Sequence, residues 1–261
     1  MGFLSIAHSD VGIKKNTNQD SVLIKEAMTD YGEVLLAVVC DGMGGLAKGE
    51  VASAALIRAF SSWFEDKFPE ILYEKRKDGA IDRMELENEL NALVIDVNHR
   101  IAEHGKQFHV AMGTTAALLI LAEGRYYTMN VGDSRVYTID SEKVSQLTKD
   151  QTFVQKEIDQ GRMTLEEARN HPQRNVLLQC VGASEVIMPE FTNGEYTSDE
   201  VFMICSDGFR HLISEEEFFK LMNPGKLNTE KEMRDAALYC TELNKSRQEK
   251  DNISVILVKT C

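Results

Sequence analysis

Two apolar runs in this chain stop at the same kind of place. "LLAVVCDGMGG" carries Leu35 to Cys40 into Asp41 and Gly42, and "VFMICSDGF" carries Val201 to Cys205 into Ser206, Asp207 and Gly208. Each run reads as a strand buried in a core. An ionised carboxylate left unpaired at the end of such a strand is costly, so the fold has to bring these ends to a place where their charge is met. Glycine directly after each acid lets the backbone turn or come close to a neighbour.

Further strands are expected at Ser21 to Ile24, Thr115 to Leu121, Tyr126 to Val131, Arg135 to Ile139 and Ile253 to Val258, all short and rich in β-formers. "EGR" and "GDS" join three of them, and links that short predict antiparallel hairpins. Helical spacing runs from Glu50 to Phe68, and from Asp82 to Glu103 with Leu86, Leu90, Leu93, Val97 and Ile101 on one face. Capping-box patterns, Ser214 to Glu217 and Thr229 to Glu232, open two more helices. With helices grouped between antiparallel strands and no Pro-rich or Ser-rich linker, residues 1–261 are expected to form a single α+β domain, sheets inside and helices outside. The polar stretch "KDQTFVQKEIDQGRMTLEEARNHPQRN", about 149–175, has few apolar anchors and is expected to be a flap on the surface.

The formal charge of −13 argues against nucleic acid or an anionic membrane as partner, since both recruit Lys and Arg, and favours the gathering of cations. The N-terminus has no basic segment followed by an apolar one, which predicts neither signal peptide nor membrane anchor. Gly2 lacks the Ser or Thr at position 6 that myristoylation prefers. Cys40, Cys180, Cys205, Cys240 and Cys261 form no C-x-x-C pair, which suits reduced thiols in a cytoplasmic protein. His8, His99, His104, His109 and His211 form no close-spaced metal pattern, and His171 in the flap is expected to pack within its loop or face solvent rather than touch substrate or donate a proton.

Five segments each bring one aspartate to a strand end: Asp20, Asp41, Asp133, Asp207 and Asp251. Short carboxylates suit a hard cation such as magnesium or manganese, and the carbonyl of Gly42 could reach the same ion. Any one Asp-Gly pair can instead be a plain turn. That alternative is weakest for Asp41 and Asp207, and strongest for Asp133 in "GDS" and Asp251 in "KDN". A dinucleotide-binding reading of Gly42 to Ala47 fails on two counts: Asp41 would sit beside a pyrophosphate, and the acids about 20 residues on, Glu65 and Asp66, lie in a helical stretch.

The ordered set "VVCDGMGG", "GTTAALLI", "VGDSRVY", "LTKDQ", "HPQRNVLLQCVG", "CSDGF" and "DNISVILV" resembles the metal-dependent protein serine/threonine phosphatases (PPM, type 2C) in their compact bacterial form, over Asp10 to Val258. The resemblance implies a four-layer αββα sandwich, two antiparallel sheets face to face with helices outside. It implies that Asp41 bridges two metal ions with the Gly42 carbonyl beside it, that Asp207 and Asp251 hold the first ion, and that Asp20 supports the cluster through coordinated water. Asp133 with Asp207 would hold a possible third ion. The implied cofactor is manganese or magnesium, and the implied reaction is hydrolysis of phosphoserine or phosphothreonine by a water or hydroxide bridging the ions, with Asp41 and Asp207 as the catalytic carboxylates. The implied partners are phosphoproteins made by a serine/threonine kinase, and the chain is expected to be a monomer.

Four positions depart from the family. Lys15 stands where the phosphate-gripping arginine falls, keeping the charge but losing the planar fork. Gln19 replaces the acid of "N-E-D", Met43 replaces the histidine of eukaryotic members, and Gln151 stands where many bacterial members carry histidine. The principal carboxylates remain, which predicts an active enzyme. Lys15 and Gln19 keep a second reading open, a catalytically weak binding module.

Overall fold

The computed structural model describes residues 2–43 and 48–261. Twelve strands and eight α-helices are found among them. One sheet has the order β1-β12-β11-β8-β9, where β1 is Phe3–Asp10, β8 Arg135–Ile139, β9 Val144–Gln146, β11 Val201–Cys205 and β12 Ile253–Thr260. The other has the order β10-β7-β6-β3-β2, where β2 is Ser21–Thr29, β3 Gly32–Cys40, β6 Ala116–Ala122, β7 Arg125–Val131 and β10 Glu190–Glu195. All their pairings are antiparallel. A small hairpin, β4 (Arg76–Lys77) with β5 (Ala80–Ile81), stands apart.

The run that opened the sequence is continuous in apolar residues because β3 is covered on both faces. Val34, Leu36, Val38 and Cys40 face a core shared with α1 (Gly49–Asp66), α2 (Phe68–Tyr73) and α3 (Arg83–Phe108), which contribute Leu56, Phe60, Trp63, Phe68, Leu86 and Leu90. Leu35, Ala37 and Val39 face the other way, against Val136, Phe202, Ile204, Ile256 and Val258 of the opposite sheet. The outer face of that sheet packs Met203, Cys205, Val255 and Leu257 against Phe218 and Met222 of α7 (Glu215–Met222) and Met233, Ala237 and Cys240 of α8 (Glu230–Ser246). The layers therefore run helices, sheet, sheet, helices. Each such apolar side chain contributes about 1.5–3 kcal/mol of burial.

The "EGR" link is a hairpin, with Glu123 and Gly124 both at positive φ, as a tight turn between twisted strands requires. "GDS" is not. β7 and β8 lie in different sheets, so the expected hairpin is corrected to a crossing from one sheet to the other. Gly132, at φ 101°, makes the turn, and a Cβ there would come within 2.7 Å of the Thr115 side chain. Ser214 and Glu217 form the full reciprocal capping box of α7. At α8 only half of the expected box is present: Thr229 Oγ1 accepts from Glu232 N–H at 3.2 Å, while Glu232 turns to Asn228 N–H at 2.8 Å. The 149–175 stretch forms α4 (Phe153–Asp159) and α5 (Leu165–Arg169), in which only Val154 and Ala168 are buried.

Candidate metal centre

The pairing Ser21↔Cys40 puts the start of β2 beside the end of β3, and so brings Asp20 next to Asp41. In the other sheet, the pairing Cys205↔Val255 does the same for the end of β11 and the start of β12, and so for Asp207 and Asp251. These acids act on one another: Asp41 is pushed well above the carboxylate range, first by burial and then by Asp20, Asp207, Asp251 and Asp133 in that order. All five strand-end aspartates singled out in the sequence are thus within electrostatic reach of one site that spans both sheets.

Asp41 is held by its backbone rather than by its carboxylate. Asp41 N–H donates to Thr115 Oγ1 at 3.0 Å, and its carbonyl accepts from Thr115 N–H at 2.9 Å and Thr114 Oγ1 at 3.0 Å. Gly42 N–H donates to the Gln19 carbonyl at 3.1 Å. A Cβ on Gly42 would lie 2.4 Å from that oxygen and 2.6 Å from the backbone of Gly49, so only glycine fits. Gly208 is as tightly placed, since a Cβ there would lie 2.1 Å from the Asn252 carbonyl oxygen. Gly44, Gly45 and Ala47 of the discarded dinucleotide pattern lie outside the described residues, and Glu65 and Asp66 end α1 rather than a strand.

Both carboxylate oxygens of Asp20 are buried without a hydrogen-bond partner among the described residues, as is Oδ1 of Asp207. The hydroxyls near Asp20 are engaged elsewhere: Ser206 Oγ accepts from Ser254 N–H at 3.1 Å and Ser254 Oγ pairs with Ser9 Oγ at 2.8 Å. Burial foremost pushes the Asp20 carboxyl up to about 7; nearby Ser254 pulls against it, Asp207 adds to it, and Ser206 and Asp251 have smaller, opposing effects. Such orphaned carboxylates cost several kcal/mol unless a cation meets them. Their hard oxygen donors fit manganese or magnesium. Among the described residues no three His, Cys, Asp or Glu side chains close around one point as a finished metal shell.

One positive charge supplied by the chain itself is that of Lys15, whose Nζ lies 2.9 Å from Asp251 Oδ1. Burial works to lower its ammonium, but the bond to Asp251 and the charges of Asp41 and Asp207 outweigh it and hold the group above the usual lysine range. Gln19 Nε2 donates to Glu50 Oε2 at 3.1 Å, so a carboxylate from α1 approaches the position where the family's acid is missing. Gln151 fastens the start of the 149–175 stretch: its Oε1 accepts from Gly132 N–H at 2.8 Å and its Nε2 donates to the Met188 carbonyl at 3.2 Å. His171 Nδ1 accepts from Gln173 N–H at 3.2 Å and its ring lies 5.7 Å from that of Phe153, a packing role within the flap. Cys40 is fully buried, and burial together with Asp20 and Asp41 keeps its thiol protonated, so it is no nucleophile.

Two features escaped the sequence reading. Asn252 stitches the Lys15 loop to the Asp251 turn: its Oδ1 accepts from Gln19 N–H at 2.9 Å and its Nδ2 donates to the carbonyls of Val11 at 2.9 Å and Thr17 at 3.2 Å. An asparagine after an aspartate reads as a turn, so nothing marks it. The other is Arg210, at the end of the short helix α6 (Asp207–Arg210), whose Nη2 reaches Asp133.

A protein-family model, protein phosphatase 2C, matches residues 12–241. The serine/threonine protein phosphatase PstP of Mycobacterium tuberculosis is 34% identical over 218 residues, covering 83% of this chain, which spans only 38% of that relative's length. The crystal structure of the serine/threonine phosphatase Stp1 from Staphylococcus aureus superposes with a TM-score of 0.84 at 27% identity, covering 100% of this chain and 96% of that one. The catalytic domain of PstP in complex with two manganese ions superposes with a TM-score of 0.76 at 29% identity, covering 98% and 97%.

Proposed function

The chain belongs to the protein phosphatase 2C family of metal-dependent serine/threonine phosphatases, and we propose that it removes phosphate from phosphoserine or phosphothreonine in proteins, as one domain with two core manganese or magnesium ions. The observation that carries this reading is the set of orphaned buried oxygens on Asp20 and Asp207 at the meeting point of two sheets. In the proposed assignment Asp41, with the Gly42 carbonyl, would hold both ions, Asp207 and Asp251 would hold the first, and Asp20 would support the cluster. Bound there, such ions supply a lowered pKa for water and neutralise charge on the phosphoryl group.

The chain's own residues provide the rest. Lys15 pairs with Asp251, one of the proposed metal-holding acids, and its partly exposed ammonium can turn from Asp251 to a phosphate oxygen. Asn252 and Gly12 fix the loop that carries it; a Cβ on Gly12 would lie 2.4 Å from the Asp251 carbonyl. Water attacks phosphorus, the bond from phosphorus to the serine or threonine oxygen breaks, and that oxygen leaves with a proton. No covalent phosphoenzyme is needed, in keeping with the protonated Cys40 thiol. Substrates made by a serine/threonine kinase follow from this chemistry, and the flap at 149–175 borders the proposed site through Gln151 and Gly132.

The test is hydrolysis of p-nitrophenyl phosphate and a phosphothreonine peptide with manganese titrated in and then chelated. Metal-dependent release that Asp207→Asn abolishes is the expected result, and normal turnover in that variant would overturn the assignment. A second reading, a weak binding module of the same fold, is favoured by the Lys15–Asp251 pair and by Gln19. Folded protein with no release at any manganese concentration would select it.

A further inference from the structure

Asp133 lies at the crossing between the sheets, beside Asp207, and is 6% exposed. It is already faced by a cation. Arg210 Nη2 donates to the Asp133 carbonyl at 2.7 Å and lies 3.5 Å from Asp133 Oδ2 and 3.6 Å from Asp150 Oδ2. Asp150 in turn is gripped by both arms of Arg135, at 2.7 Å each, and Arg135 also donates to the Tyr137 hydroxyl at 2.8 Å. Two carboxylates thus meet two guanidinium groups in a neutral, buried cluster. The Arg210 and Asp133 side chains are each 9% exposed. His211, next along the chain, approaches Asp207 Oδ2 at 3.8 Å and Glu249 Oε2 at 3.7 Å.

We propose that the Arg210 guanidinium takes the place of a third metal ion at Asp133, so that this chain works with two ions only. The proposal rests on the metal-centre reading above. Arg210 follows Asp207 by three residues on the same helical turn, so the strand end that presents Asp207 also presents the fixed cation that faces Asp133. A guanidinium does not give up its proton in a protein, so a divalent ion at Asp133 would have to share the carboxylate with a permanent buried cation. The Arg210 Nε–H has no acceptor among the described residues. Charge, not a full set of hydrogen bonds, therefore accounts for its position.

The test is manganese stoichiometry on the full chain, by calorimetry and by the free-manganese resonance signal, for wild type, Asp133→Asn, Arg210→Gln and the double variant. Wild type should take up two ions, with Asp133→Asn unchanged in number. Arg210→Gln should gain a third ion, and the double variant should lose it. A third ion in wild type that Asp133→Asn removes would overturn the proposal, and this pair decides the matter even where Arg210→Gln does not fold. A folded Arg210→Gln that still takes up two ions would overturn it as well. Absence of all manganese uptake by wild type would bring down the underlying metal-centre reading, an outcome distinct from either.

Discussion

Replacing Asp20 by Asn should stabilise the metal-free protein by an amount that grows with pH. In the native state the Asp20 carboxyl is pushed up to about 7, while in the unfolded chain it returns to 3.8. The native state therefore keeps a proton that the unfolded state has lost over this interval, and stability falls as pH rises from 4 to 7. At 1.36 kcal/mol for each pH unit, roughly three units amount to about 4 kcal/mol by pH 8. Asparagine has nearly the same shape and carries no charge, so Asp20→Asn should match wild type near pH 4 and exceed it by about 2–4 kcal/mol at pH 8. Asp41 strengthens the effect, because removing the Asp20 charge also relieves a carboxyl that Asp20 helps to raise.

Urea unfolding in the presence of a chelator, at pH 4, 6 and 8, measures this directly. Adding manganese should narrow the gap at pH 8, since an ion that binds only the folded state stabilises wild type by mass action. An Asp20→Asn protein no more stable than wild type at pH 8 under chelation would refute the reasoning, because it would mean that the Asp20 charge is already met within the chain.

Lys15→Ala removes the ammonium from Asp251 Oδ1. It should tighten manganese binding severalfold by calorimetry while raising KM more than it lowers kcat, and a pure loss of kcat would contradict a phosphate-binding role. Gly42→Ala places a methyl group 2.4 Å from the Gln19 carbonyl and 2.6 Å from Gly49. It should lower stability by about 1–3 kcal/mol, read from the urea midpoint, and weaken manganese uptake with it.

What could be read from the sequence depended on how much of a segment's behaviour was decided locally. Val34 to Cys40 and Val201 to Cys205 are buried on both faces, so their composition announces them. β10, "EFTNGE", does not, because its place is set by pairing with β7: Gly194 leaves room for the Tyr126 ring, which a Cβ would meet at 2.6 Å. β1 pairs along one side only, with β12, and is half-buried, so its apolar alternation is faint. The "GDS" link was misjudged because a three-residue connection joins paired strands in one sheet as readily as it crosses to a facing sheet. Loop length alone does not choose between them. The acids were visible as types at strand ends, whereas Arg210 and Asn252 act through partners more than seventy and two hundred residues away, a distance no local pattern encodes.

The placement of the acids ties stability to chemistry. Asp20 and Asp41 belong to the sheet containing β3, Asp207 and Asp251 to the sheet containing β12, and Asp133 to the crossing between them. Their repulsion acts across the seam where Leu35, Ala37 and Val39 meet Phe202, Ile204 and Ile256. That seam, at about 1.5–3 kcal/mol for each large apolar side chain, can support a cluster destabilised by several kcal/mol. A cation gathered at the seam as proposed would add to the cohesion of the two sheets, and a chelator would subtract from it. The same groups that Asn substitution would make more stable are those whose charge the proposed hydrolysis requires, so stability gained at Asp20 should be paired with lost turnover.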